Sequence, residues 1–220
     1  MIPLRDAQRS YSKPVVNVLL IAVNCVAFLY ELSLGPYARN ELIYVYGLVP
    51  DRLMPISLVT SMFLHGGWLH IIGNMWFLWI FGDNIEDVLG HGRYLLFYLL
   101  CGVAAGLAHL ATNLGSPVPT IGASGAIAGV MGAYLVKFPH SRIVTLLPLF
   151  IFWTTVEIPA FFILAYWFVI QLFSGATTIA SHAQGGVAWF AHVGGFLTGI
   201  LLIYVMKTND PWRSRRDYRW

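Results

Sequence analysis

Six apolar runs dominate this chain, at approximately 15–34, 69–82 with an apolar approach from Leu53, 92–113, 124–138, 156–173 and 187–206. Each is bounded by charge or by Gly/Pro clusters, and a bilayer core about 30 Å thick takes roughly 20 apolar residues per helix. Only 10% of the residues are Asp, Glu, Lys or Arg and 58% are apolar, whereas a soluble domain carries about 25% charged residues. A water-soluble globular fold is thereby excluded. Disorder is excluded as well, because 8 Trp, 11 Tyr and 14 Phe would sit in water with little charge to solvate them. A net charge of +3, scattered along the chain, is no nucleic-acid footprint. Cys25 and Cys101 both lie in apolar runs, which implies neither a disulfide scaffold nor a Cys-based zinc site. The class that survives is an all-α polytopic membrane protein.

Charge tests the count of spans independently, since short cytoplasmic segments collect Lys and Arg. With six spans, Arg5, Arg9, Lys13, Arg93, Lys137, Arg142, Lys207, Arg213, Arg215, Arg216 and Arg219 share one side, and only Arg39 and Arg52 fall on the other. That asymmetry predicts both termini in the cytoplasm and a long outer loop at about 35–57. The first run follows Arg5, Arg9 and Lys13 as a signal peptide would, but no small-residue cleavage pattern precedes Glu31, so it reads as a retained helix. No linker or repeat divides the chain, and residues 1–220 read as a single membrane domain with short tails.

Polar groups inside such spans are costly and tend to mark function. Span two begins His70-Ile-Ile-Gly-Asn74, span four begins Gly122-Ala-Ser124-Gly125, and span six contains Ala191-His192-Val-Gly-Gly195. All three spans run inward from the outer face. From Ser124 to Phe138 the helix covers about 22 Å at 1.5 Å per residue, which leaves Ser124 roughly 8 Å below the outer boundary. His192 falls at a similar depth if span six starts near Val187. The short span two brings His70 and Asn74 to the same layer.

That set of side chains has a coherent chemistry. A serine hydroxyl is a poor nucleophile unless a neutral imidazole takes its proton, and Ser124 and His192 have those roles available. Ser124 also opens a helix, whose free N–H groups and positive dipole end favour a developing oxyanion. His70 and Asn74, four residues apart, lie on one helical face and can both donate to that oxygen. Glycines 122 and 125 let backbone approach the serine. No acidic residue shares the layer, so the arrangement is a dyad rather than a triad.

The segments Gly122-Ala-Ser124-Gly125-Ala-Ile-Ala-Gly129, His70-x-x-x-Asn74 and Ala191-His192-x-x-Gly195-x-x-x-Gly199 resemble the rhomboid family of intramembrane serine proteases in its bacterial six-helix form. They occur in the family's order, and the likeness extends from about Leu58 to Met206. The resemblance implies a six-helix bundle with a short central helix four, with Ser124 as nucleophile and His192 as general base. It also implies an oxyanion hole from His70, Asn74 and the Ser124 N–H, without metal or cofactor. It implies substrates that are themselves transmembrane proteins, cut near the outer boundary, and a multi-pass location in the inner cell membrane. Two positions depart from the family pattern. Many relatives have an aromatic residue four places after the serine, stacked on the histidine, where this chain has Ala128. A Trp-Arg pair common in the first outer loop is absent between Gly35 and Ser57, and Arg52 stands without its Trp.

Each motif has a plainer reading when taken alone. Gly-x-Ser-Gly in a membrane helix is more often small-residue packing, and Gly195 with Gly199 reads as packing that brings span six close to span four. His192 alone could serve a relay, and His70 with Asn74 could be an interhelical hydrogen-bond pair. Their coincidence in one layer favours the protease. A small transporter would also concentrate polar groups at depth, but the halves show no internal symmetry. A catalytically inactive relative that binds transmembrane helices is the other alternative, against which the retained Ser124 and His192 argue. No His is followed by Glu, and Gly82-Asp83 lacks the partner motif of an aspartyl site. His65 reads as support. His109, Asn113, Gln171 and Gln184 could hydrate a cavity, the last two flanking the loop before span six. Glu157 reads as a helix-start carboxylate, and Asp83, Glu86 and Asp87 as a solvated cytoplasmic turn.

Overall fold

The computed structural model describes residues 2–149, 152–180 and 187–209; Gln184 and the arginines at 213, 215, 216 and 219 lie outside them. In chain order the elements are β1 (Ile2–Asp6), α1 (Val15–Ser33), α2 (Pro36–Tyr46), α3 (Ser57–Thr60), a 3-10 turn at Ser61–Phe63, α4 (Trp68–Leu89), α5 (His91–Thr112), α6 (Ser124–Lys137), β2 (Arg142–Leu149), β3 (Phe152–Pro159), α7 (Ala160–Ala180) and α8 (Trp189–Val205). The fold is therefore mostly helical but not all-α. A three-stranded antiparallel sheet of order β1-β2-β3 sits at the end of the bundle where α1 starts and α6 finishes.

α6 is the centre of the bundle. Its ten residues from Gly125 to Tyr134 are all buried, as a helix that is apolar on every side must be in order to avoid water. α4, α5 and α8 surround it, with Phe81, Tyr94, Phe97, Tyr98, Tyr134 and Phe196 filling the spaces between. The outer helices are the opposite. α1 turns Val18, Leu19, Val23, Val26 and Leu29 outward, and α7 does the same with Phe161, Phe162, Tyr166 and Phe173. Apolar faces of this extent belong against lipid, not water. Val15–Ser33, His91–Thr112 and Ala160–Thr178 are each long and apolar enough to cross a bilayer, whereas α6 and α8 are shorter apolar helices.

Glycine is required at one helix contact and at one turn. α6 and α8 meet backbone to backbone, since a Cβ on Gly195 would stand 2.0 Å from Gly125 O and one on Gly199 would stand 1.9 Å from Gly129 O. Only hydrogen fits there. α4 and α5 are joined by the single residue Gly90, whose φ of 75° is a left-handed conformation that costs glycine little.

The structure corrects several sequence expectations. α4 continues past residue 82 to Leu89, because Asp83, Glu86 and Asp87 are not a solvated turn but the anchors of the N-terminal segment. Glu86 accepts from the Val16 and Asn17 N–H groups at 2.9 and 2.8 Å, satisfying donors that the start of α1 leaves without intrahelical partners. Asp87 accepts from Tyr11 N, Ser12 N and Ser12 Oγ, and Asp83 from Ser10 Oγ. Glu157 starts no helix; it lies in β3 opposite Val144, 3.7 Å from Arg142, and α7 begins three residues later. Segment 35–57, expected as a long outer loop, is not simply a loop, since it contains the 11-residue helix α2. Arg39 of α2, rather than Arg52, ties this segment down. It donates to His65 O at 3.1 Å, pairs with Glu31 at 3.7 Å and lies over the Phe28 ring.

Candidate active site

The approach to α6 fixes where its first residue points. Leu48 and Thr120 exchange backbone hydrogen bonds of 2.9 and 2.8 Å, and the Gly122 N–H donates to Ser61 O at 2.9 Å. Gly122 then turns the chain with φ 124°, a region closed to most L-residues. A side chain at 122 is excluded for a second reason: its Cβ would lie 2.6 Å from His70 Nε2 and 3.5 Å from Asn74 Nδ2. Both side chains therefore converge on the space beside this glycine, two residues before Ser124. No side chain caps the first turn of α6, so its leading N–H groups face the same region without a side-chain acceptor.

Ser124 Oγ lies 2.8 Å from His192 Nε2 on α8. His192 Nδ1 lies 2.7 Å from Gln171 Oε1 on α7. A carboxamide oxygen can only accept, so Nδ1 carries the ring proton and Nε2 presents its lone pair to the serine hydroxyl. The same reasoning applies to His70. The Gly66 N–H donates to its Nδ1 at 3.4 Å, which leaves Nε2–H as the donor facing Gly122. Asn74 Nδ2 spends one hydrogen on His65 Nε2 at 3.0 Å and keeps a second. His65 is fully buried between the Phe28 and His70 rings, and it positions Asn74 without reaching the serine.

These groups open onto a cavity of about 900 Å³ lined among others by His70, Asn74, Ser124, Trp189 and His192. His109 also lines it, hydrogen-bonded to Thr120 at 2.7 Å, with Asn113, just past the end of α5, 3.3 Å from His109 Nδ1. Ser124, His192, His70 and Asn74 are thus brought together, with Gly122 at their centre, and Gly125 sits where α6 packs on Ala105 and α8. Among the described residues no group of three or more His, Cys, Asp or Glu side chains could hold a metal ion.

Sequence reasoning missed Gln171 as a partner of the histidine. It does not flank a loop; it lies within α7, is 4% exposed and touches His192 directly. Trp167, one turn earlier, places its ring 5.7 Å from the imidazole. The spacing of Trp167 and Gln171 at i and i+4 puts both on one face of α7, but neither their facing partner nor their depth is written in that spacing.

A family model described as the Rhomboid domain matches residues 52–209. The chain is 32% identical over 165 residues to RHOMBOID-like protein 6, mitochondrial, of Arabidopsis thaliana, covering 73% of this chain and 47% of that protein. It is 33% identical over 168 residues to Rhomboid protein 1, mitochondrial, of Saccharomyces cerevisiae, covering 73% and 45%. It is 35% identical over 128 residues to Rhomboid protease GluP of Bacillus subtilis, covering 56% and 24%. The chain thus spans about half the length, or less, of these curated relatives.

Proposed function

This chain belongs to the rhomboid family, and on that premise we propose that it is an intramembrane serine endopeptidase acting by a Ser124–His192 dyad. The observation that carries the reading is the 2.8 Å contact between Ser124 Oγ and His192 Nε2, with His192 Nδ1 2.7 Å from Gln171 Oε1 on the other side of the ring. In this mechanism Ser124 Oγ attacks the scissile carbonyl carbon as His192 Nε2 takes its proton. The carbonyl oxygen, now an oxyanion, accepts from His70 Nε2–H, the free Asn74 Nδ2–H and the Ser124 N–H, donors already in place before charge develops. Collapse of the intermediate expels the amine, which receives the proton from His192. Water then enters from the cavity and attacks the acyl carbon as it loses a proton to the same Nε2, and His192 returns that proton to Ser124 Oγ as the acyl–Oγ bond breaks, releasing the carboxylic product.

The substrates are membrane proteins whose transmembrane segments reach the cavity from lipid. Six spans, α1, α4, α5, α6, α7 and α8, form a single membrane domain over residues 1–220 with both termini cytoplasmic and the site in the outer leaflet of the cell membrane. The asymmetry of basic residues supports that orientation. Accessibility of a tag at either terminus checks it, and an outward C-terminus refutes it. The mitochondrial names of two relatives leave a mitochondrial membrane as the second location to test.

Purified protein in detergent is expected to cleave a single-span model substrate, and Ser124→Ala to abolish the cleavage. If Ser124→Ala cleaves as fast as the parent, the assignment fails. Binding of the substrate without cleavage by the parent points instead to an inactive transmembrane-helix-binding relative.

A further inference from the structure

Gln171 is the polar side chain of α7 that reaches the proposed dyad, and its orientation is fixed from its own helix. Its Nε2 donates to Trp167 O at 3.3 Å, one turn back, which aims Oε1 at His192 Nδ1, 2.7 Å away. A buried amide in this position is fully specified: one end satisfies a backbone carbonyl, and the other can be satisfied only by a donor. The imidazole is thereby restricted to the Nδ1–H tautomer. With the alternative tautomer, Nε2–H would face Ser124 Oγ and no lone pair would be available to take the serine proton.

We infer that Gln171 is a positioning residue that selects the His192 tautomer competent to act as a base, with Trp167 holding the plane of the ring. The inference rests on the serine-protease reading of the site. It also accounts for the small residue at 128. Ala128 lies in the closed interior of α6 and is fully buried, so the ring is steadied from α7 instead, by Trp167 at 5.7 Å and an interplanar angle of 37°. Trp189 meets the ring edge-on from the start of α8. Orientation by hydrogen bond on one nitrogen and by an aromatic plane on one face leaves the imidazole no free rotation. The chemistry that an acidic third member performs in a triad, fixing tautomer and direction, is here given to a neutral amide. That choice avoids burying a carboxylate in the membrane interior.

Two measurements test this. In protein with 15N-labelled histidine rings, the His192 signals, assigned by their loss in His192→Asn, are expected to report Nδ1–H and a bare Nε2. In Gln171→Met, of similar length but without an acceptor, the tautomer is expected to mix. In the same variant kcat should fall about 10- to 100-fold, as for loss of a partner that orients a functional histidine, with KM nearly unchanged. Gln171→Glu keeps an acceptor at the same reach and should retain the tautomer and more of the activity than Met; a purely packing role predicts the reverse, because Met buries no charge. Should Gln171→Met fail to fold, Gln171→Asn, too short by one methylene to reach Nδ1, takes its place. Parental kcat in Gln171→Met or, in its stead, Gln171→Asn overturns the inference, as does a wild-type His192 found as the Nε2–H tautomer. The protease reading is judged separately by Ser124→Ala, whose outcome does not depend on position 171.

Discussion

Gly199→Ala is a one-carbon change that the packing of α6 and α8 has no means to absorb. The added Cβ would stand 1.9 Å from Gly129 O, 2.5 Å from Gly129 C and 2.6 Å from its Cα. All three are backbone atoms, so no side chain can rotate away. An ordinary carbon contact needs about 3.5 Å, so the helices must part by roughly 1.5 Å at this level. Overpacking of a tight core typically costs about 1–3 kcal/mol, and a clash with fixed backbone belongs at the upper end. The consequence reaches the proposed site because Ser124 and His192 ride on the same two helices. Any of that parting carried to their level lengthens their 2.8 Å contact toward the roughly 3.2 Å limit of a good hydrogen bond. Misplacement of reacting groups on the ångström scale lowers turnover by about 10². Thermal unfolding in detergent reads the first effect, and kcat on a single-span substrate reads the second. Gly92→Ala is the control. A Cβ there meets nothing within 4 Å, and alanine in a helix should be neutral or stabilise by up to about 1 kcal/mol. A Gly199→Ala protein as stable and as active as the parent would refute the reasoning, because it would mean that the two backbones are not in contact.

Asn74→Ala is expected to lower kcat by about 10²–10³ with substrate affinity nearly unchanged, as for loss of one preorganised oxyanion donor. His70→Ala should act in the same direction, and the two losses should fall short of additivity because both groups serve one oxygen; full kcat in Asn74→Ala would move that role to the N–H groups at the start of α6. At the sheet, burial lifts the Asp6 carboxyl from 3.8 to about 6, with nearby Asp83 adding to the rise and the hydrogen bond from Tyr134 opposing it. Between these values the folded protein holds more protons than the unfolded chain, so this group's contribution to stability is full below about 3.8 and is lost as pH rises through about 6. Asp6→Asn should flatten that part of the stability–pH curve, and an unchanged slope across the window would count against it.

The sequence by itself determined that the chain belongs in a bilayer, where its apolar runs fall, and which serine, histidines and asparagine are costly enough in that setting to mark a site. These conclusions follow from composition, from run length against membrane thickness, and from the helical spacing of His70 and Asn74, all of which are local properties. Only the tertiary structure decided what meets what. Gln171 read as one more polar residue near a loop, because the tautomer it imposes on His192 depends on how α7 packs beside α8. Asp83, Glu86 and Asp87 looked like a solvated turn, since three carboxylates in a short stretch ordinarily seek water. Glu86 and Asp87 are buried and Asp83 is half-buried because residues 10–17, distant in sequence, bring N–H and hydroxyl donors to them. The segments 142–149 and 152–159 pair with each other along their whole length, and β1 adds a third strand from more than a hundred residues away, a pairing that no run length or composition announces. Gly122 was legible as a small residue near the serine, but its requirement for a left-handed turn and for the space taken by His70 is a property of three segments meeting at one point.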